Sequence, residues 1–105
     1  MEQAQLLKGV LELAVLAVIA RRETYGYEIL STLEDSGFEG VGDASVYGTL
    51  RRLEQAGHLT SRLAASDSGP ARKYYAVTPS GAEQLQAGTE TWTGINAALQ
   101  KLVDA

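Results

Sequence analysis

The sequence contains no cysteine, a single histidine (His58), two prolines, one tryptophan, one phenylalanine and one methionine. Without cysteine there is no disulfide framework, no thiolate metal or iron–sulfur site and no thiol nucleophile. A lone histidine removes most of the raw material for His-rich metal sites and Ser-His-Asp chemistry, and His58 itself, just after Gly57, reads as a solvated or capping residue. No carboxylate pair, nucleophile–base set or phosphate-binding glycine loop is present, so an enzyme is the class the sequence supports least, and neither metal nor cofactor is expected. Long hydrophobic runs are missing too. The one apolar stretch, Leu6 to Ala20, is shorter than a membrane span and contains Lys8 and Glu12, while the start Met1-Glu2-Gln3 lacks the basic region of a signal peptide. These absences lead to the expectation of a cytoplasmic protein with no membrane segment. Positive charge is also scarce: 13 acids against 9 Lys plus Arg leave −4, a sum that argues against nucleic acid, whose phosphates are met mainly by Lys and Arg.

What is present is one domain's worth of chain, 105 residues of which 45% are hydrophobic. Residues 3–20 read as a helix whose apolar positions cover most of its circumference. Such a helix is buried on more than one side, either as a central helix or against a subunit partner, and the partner is the preferred reading. After the polar break Arg21-Arg22-Glu23, Thr24 can cap a second helix from about Tyr25 to Ser36, with Tyr27 toward the core and Gly37 as its stop. A glycine-rich loop, 38–42, leads to a third helix from Asp43 or Ala44 to Ala56, ended by Gly57. Its inward face holds Val46, Leu50 and Leu53, and its outward face Gly48, Arg51, Arg52 and Gln55.

Beyond Gly57 the period changes. Residues 58–63 and 73–77 read as two strands joined by a loop over 64–71. Thr78-Pro79 then supplies an N-cap and a first helical residue for a last helix reaching about Val103, with Ser80 and Glu83 as an alternative capping box. Leu85, Trp92, Ile95, Leu99 and Leu102 form a heptad-like seam along it, longer than a chain of this size buries alone. Gly88 and Gly94 call for close helix approach or a bend.

The expected fold is therefore mainly α with a two-stranded β wing: a winged helix-turn-helix over 1–78, whose first helix also enters a dimer interface, followed by a C-terminal dimerisation helix over 79–105. In such folds the helix before the ribbon enters the DNA major groove. Charge is distributed to match. Ser45 to Ala82 carries five basic residues and two acidic, a balance of +3, and the remainder four basic and eleven acidic, a balance of −7.

The chain resembles the PadR family of bacterial transcriptional regulators, in its short form with a single C-terminal helix. The resemblance rests on Gly9-Val10-Leu11-Glu12, Tyr25-Gly26-Tyr27-Glu28-Ile29, Val46 through Gly57, and Gly69-Pro70-Ala71-Arg72-Lys73-Tyr74-Tyr75 with Thr78 and Gly81. Gly48 departs from it, since many members carry proline after the tyrosine of this helix. The resemblance implies a homodimer joined through its first and last helices, bound to an inverted-repeat operator in double-stranded DNA, usually repressing transcription and often released by a small molecule.

Candidate DNA contacts are Tyr25, at the start of the second helix where N–H groups favour a phosphate, Ser45, Tyr47, Gly48, Thr49, Arg51 and Arg52 on the third, and Arg72 and Lys73 on the wing. Ser45 is alternatively a local cap, and Tyr47 alternatively packs at the edge of the buried face. Alternation places Arg72 and Lys73 on opposite faces of their strand, with Arg72 the better phosphate ligand. Tyr74 and Tyr75 read as structural. Trp92 is either a seam residue or, as in similar multidrug-responsive members, the wall of a pore in which a planar aromatic effector stacks. Leu6, Val10, Ala14 and Ile95 are its candidate neighbours, with room left by Gly88 and Gly94. The rival readings are a winged-helix protein-interaction module and a small-molecule-binding dimer without operator DNA.

Overall fold

The structure, a computed structural model, describes residues 9–67 and 69–105. Leu6 and the expected first turns of the N-terminal helix lie outside the described residues. Helix α1 spans Leu11–Arg21, strand β1 Thr24–Tyr25, helix α2 Gly26–Asp35 and helix α3 Asp43–Gln55. Strand β2 spans Leu59–Ser66, strand β3 Gly69–Val77 and helix α4 Pro79–Asp104.

Helix α1 occupies the centre, packed against α2, α3, α4 and β3. Part of its apolar surface is met within the chain: Val15, Leu16 and Ile19 enter the core, and Leu13 meets α4, while Leu11, Leu13, Ala14 and Val18 stay half-buried. The core is completed by Ile29 and Leu33 of α2, Val46, Leu50 and Leu53 of α3, and Leu59 and Tyr75 of the sheet. Tyr27 is not part of it. At about 100° per residue it lies some 200° from Ile29, and it is 71% exposed.

The sheet has three strands, in the order β1-β3-β2, where two were expected. Thr24 and Tyr25, read from the sequence as a cap and a helix start, pair instead with Tyr75 and Tyr74 of β3. Tyr25 then stands at the N-cap of α2 without a side-chain cap, and the Thr24 hydroxyl donates to Glu28 at 2.9 Å. The ribbon is also longer than expected. Ala64 pairs with Arg72 and Ser66 with Gly69, with a bulge between Ala64 and Ser66, so most of the expected loop is ladder. The Ser66 hydroxyl helps close the tip by donating to the carbonyls of Gly69 and Pro70 at 3.1 Å each.

Turns fall where glycine permits them. Gly37 and Gly57 stop α2 and α3 with φ of 105° and 82°. Helix α4 starts on the expected cap, the Thr78 hydroxyl accepting from Gly81 N–H at 3.1 Å. The same hydroxyl donates to the Gly57 carbonyl at 2.7 Å, and Ser80 reaches that carbonyl at 3.2 Å and the His58 ring Nδ1 at 2.8 Å. Gly81 is buried because α4 crosses the turn closely enough that a Cβ would overlap the His58 carbonyl oxygen.

Past this junction α4 crosses α1, where Gly88 admits Leu13, and then runs on into solvent. Gly88 is thus a close-approach position, while Gly94 faces open space. No helix among the described residues is long and apolar enough to cross a membrane. The two glycines 81 and 94 predict opposite outcomes for one substitution. Gly81→Ala should destabilise the fold by about 1–3 kcal/mol or more, because the neighbour that must move is backbone. Gly94→Ala should stabilise it by about 0.5–1 kcal/mol through helix propensity alone. Urea unfolding of both variants checks the pair.

Candidate nucleic-acid interface

Helix α3 turns Val46, Thr49, Leu50 and Leu53 inward. Ser45, Tyr47, Arg51 and Arg52 are exposed, and Gly48 is half-buried. Thr49 is therefore not brought to the surface with them. It is fully buried, and its hydroxyl donates to the Ser45 carbonyl one turn earlier at 2.8 Å. Ser45 does not cap the helix, whose N-cap is Gly42 without a side-chain bond. Its hydroxyl stays on the outer surface of the first turn.

The start of α2, α3 and the wing enclose a groove of about 550 Å³ bordered by Tyr25, Tyr27, Tyr47, Arg72, Lys73 and Tyr75. Tyr47 lies over Gly26, where a Cβ would overlap its ring and hydroxyl, so glycine is what lets α3 close on the start of α2. The guanidinium of Arg72 sits over the Tyr25 ring at 4.5 Å, and that ring meets Tyr74 edge-on at 5.5 Å. Tyr27, expected in the core, joins this groove instead, and its phase relative to Ile29 and Leu33 is the sequence signal that points it outward.

The cations differ in what holds them. Among the described residues Arg51 makes no ion pair. Arg52 donates to the Thr49 hydroxyl at 3.1 Å and approaches Glu12 of α1 at 3.6 Å. Lys73 pairs with Glu54 of α3 at 3.2 Å and lies over Tyr75, so it and Arg72 do take opposite faces of β3. Arg62 grips Glu23 with two bonds, 3.0 and 2.5 Å long, and covers Tyr74. The sequence reading located the cations but not the carboxylates Glu12, Glu23 and Glu54 that neutralise them.

These contacts set the local titration. The Arg62 hydrogen bond lowers Glu23 below the ordinary carboxylate value, and the Ser61 hydroxyl, helped by Lys73, does the same for Glu54. Lys73 is correspondingly raised by Glu54, and Arg62 by Glu23. A carboxylate with a depressed folded pKa adds stability above its unfolded value and loses it as the pH falls through the folded one. The thermal midpoint should thus decline on acidification from about 4.5 downward, and a Glu23→Gln, Glu54→Gln double variant should show a shallower decline. Identical acid limbs in the two proteins would remove these pairs as the cause.

On the far side of α1 a second, apolar groove runs beneath α4. One part, about 260 Å³, is bordered by Val10, Ala14, Phe38, Leu85 and Trp92. The other, about 570 Å³, is bordered by Val10, Glu12, Leu16, Trp92, Ile95 and Leu99. Val10 and Trp92 border both parts, Ala14 the first and Ile95 the second. Gly88 borders the second part as well, with Leu13 seated against it.

Comparison with known proteins matches this architecture. The profile of the transcriptional regulator PadR-like family matches residues 15–87. A PadR-like transcriptional regulator from Bacillus cereus is 38% identical, covering 96% of this chain and 98% of its own, with a TM-score of 0.86. A PadR family regulator from Eggerthella lenta is 30% identical over 97% of this chain and 88% of its own, with a TM-score of 0.87. A Streptococcus transcriptional regulator is 34% identical over 93% of this chain and 96% of its own, with a TM-score of 0.83. The family is one of regulators and not of enzymes, which agrees with the lack of catalytic constellations in the sequence. With a three-stranded sheet, three preceding helices and a long last helix in the family's order, this chain belongs to the PadR-like family of transcriptional regulators.

Proposed function

We propose that the chain acts as a homodimer that binds an inverted-repeat operator in duplex DNA, represses transcription, and is released by a planar aromatic small molecule. The observation that carries this reading is the apolar seam of α4. Trp92, Ile95, Leu99 and Leu102 are 48, 64, 57 and 76% exposed on the half of the helix that extends past the core. A contiguous stripe of this kind marks an interaction site. A second copy, laying the same stripe against it around a two-fold axis, buries it on both subunits at once. The same axis repeats the reading face, which is why the operator would be an inverted repeat.

Each reading face presents Ser45, Tyr47, Gly48, Arg51 and Arg52 from α3, Tyr25 and Tyr27 from the start of α2, and Arg72 and Lys73 from the wing. Arg51, unpaired among the described residues, is the base reader, and Arg72 with the tyrosine hydroxyls holds the sugar-phosphate backbone. Thr49 acts from inside, fixing the helix through its bond to Ser45. The effector site is the groove around Trp92, Val10, Ala14 and Ile95, a flat indole over an apolar floor. The division at Thr78 separates two roles but not two bodies, because the first half of α4 is packed on α1.

Arg51→Ala should weaken operator binding about 10–100-fold, read by titration of labelled duplex, and leave the sedimentation coefficient unchanged. Unchanged affinity would mean that α3 is not the reading helix. Leu99→Asp should sediment as a monomer and lose the operator. Trp92→Ala should keep the operator but abolish binding of planar aromatic dyes, followed by the dye's own fluorescence since Trp92 is the only tryptophan. A protein-interaction module on this fold would instead bind duplex without salt sensitivity or not at all.

A further inference from the structure

Four cations stand in the candidate reading set, Arg51, Arg52, Arg72 and Lys73, and two of them are already engaged by carboxylates of the same chain. Arg52 is held on two sides, by the hydroxyl of buried Thr49 at 3.1 Å and by Glu12 of α1 at 3.6 Å. Lys73 is held by Glu54 at 3.2 Å, and Glu54 is itself fixed by the Ser61 hydroxyl at 2.5 Å. Neither acid belongs to the wing that carries Lys73. Both point charge at a surface that otherwise collects the chain's positive residues.

We propose that Glu12 and Glu54 are specificity-determining residues of the reading face: they hold Arg52 and Lys73 away from the phosphates of random duplex. The proposal rests on the reading of this surface as a DNA interface. Binding to random DNA is driven almost wholly by cations that replace condensed counterions on phosphates. A cation that must first leave a carboxylate gains little, and the carboxylate it abandons then lies beside a phosphate of like charge. A loosely held random duplex is sampled in many orientations, and in some of them a released Arg52 or Lys73 would find a phosphate. An operator locked in register by base contacts offers one orientation only, with Arg52 turned toward α1 and Lys73 toward α3. The guard therefore subtracts more from random binding than from operator binding, which is how unfavourable elements create discrimination.

Glu12→Gln and Glu54→Gln test this in the full-length protein, using the operator and a duplex of scrambled sequence across a series of salt concentrations. At position 54 Gln keeps one acceptor oxygen, which can serve Ser61, and removes the charge that holds Lys73. Each variant should bind the scrambled duplex about two- to fivefold more tightly, the range that exposed ion pairs span. The slope of log affinity against log salt should steepen by roughly 0.9 for each cation released. Operator affinity should rise less, so that the ratio of operator to random binding falls. In an Arg52→Ala background Glu12→Gln should have no effect, and Glu83→Gln on α4 should have none in any background. Unchanged salt slopes in both variants, or equal strengthening of operator and scrambled duplex, would overturn the proposal while leaving the DNA-binding reading in place. Failure of the parent protein to bind any duplex would remove that reading itself.

Discussion

The arrangement of the chain depends on one crowded junction, where the end of α3, the base of the wing and the start of α4 meet. The Gly57 carbonyl accepts from the hydroxyls of Thr78 and Ser80, and the His58 carbonyl accepts from Thr78 N–H at 3.1 Å. Gly81 crosses so close that no side chain fits between it and His58. Each bond alone is worth only about 1 kcal/mol net. Together with the steric contact they leave α4 little freedom to pivot on the reader. The direction in which the exposed seam projects is therefore set by the same few atoms that end α3. In the proposed dimer, half-site spacing would be inherited from this junction.

Charge on the molecule has to be read at three scales, and each reverses the one before. Summed over the chain it is −4 and argues against a polyanion. Summed over the reader it is +3 and argues for one. Contact by contact, Arg52, Arg62 and Lys73 are paired with Glu12, Glu23 and Glu54, so that Arg51 and Arg72 carry most of the charge that is not already answered. Surface pairs of this kind contribute little to stability. Their consequence is instead for encounter, since they decide how much of the formal charge a passing duplex meets.

Features governed by local rules were legible in the sequence. The helices over 26–35 and 43–55 follow from apolar spacing, their ends from Gly37 and Gly57, and the start of α4 from Thr78 and Pro79. What was not legible is nonlocal. Strand β1 is two residues long and exists only because Tyr74 and Tyr75, some fifty positions later, offer it an edge. The wing runs to its tip through Ala64, Ala65 and Ser66, residues with little strand preference, because pairing and not propensity extends it. Among candidate site residues of α3, Arg51 and Arg52 reach the surface as their phase requires, and Tyr47, at the edge of the buried face, is exposed while lying over Gly26. Thr49 does not reach the surface: its phase, about 60° from Val46 and about 40° from Leu53, puts it on the buried face, where the carbonyl one turn back satisfies its hydroxyl. The partner of Arg62, 39 residues upstream, could not be inferred from spacing at all.

Helix α1 explains why one small chain can connect two surfaces on opposite sides. Its apolar circumference is divided between the core and an open groove. Val15, Leu16 and Ile19 support the reading helix and α2, and Leu13 inserts against Gly88 of α4. Val10, Ala14 and Leu13 border the groove that Trp92 overhangs, and Glu12, between them, reaches across to Arg52. A close-packed helix with contacts on every side does not deform at one face alone, because the interior transmits displacement instead of absorbing it. In the proposed effector response, a ligand that pushes on Leu13 or Ala14 would press on the Val15–Ile19 face against which α3 packs. In that response the same rod that makes the core would give the groove both a packed and a charged connection to α3.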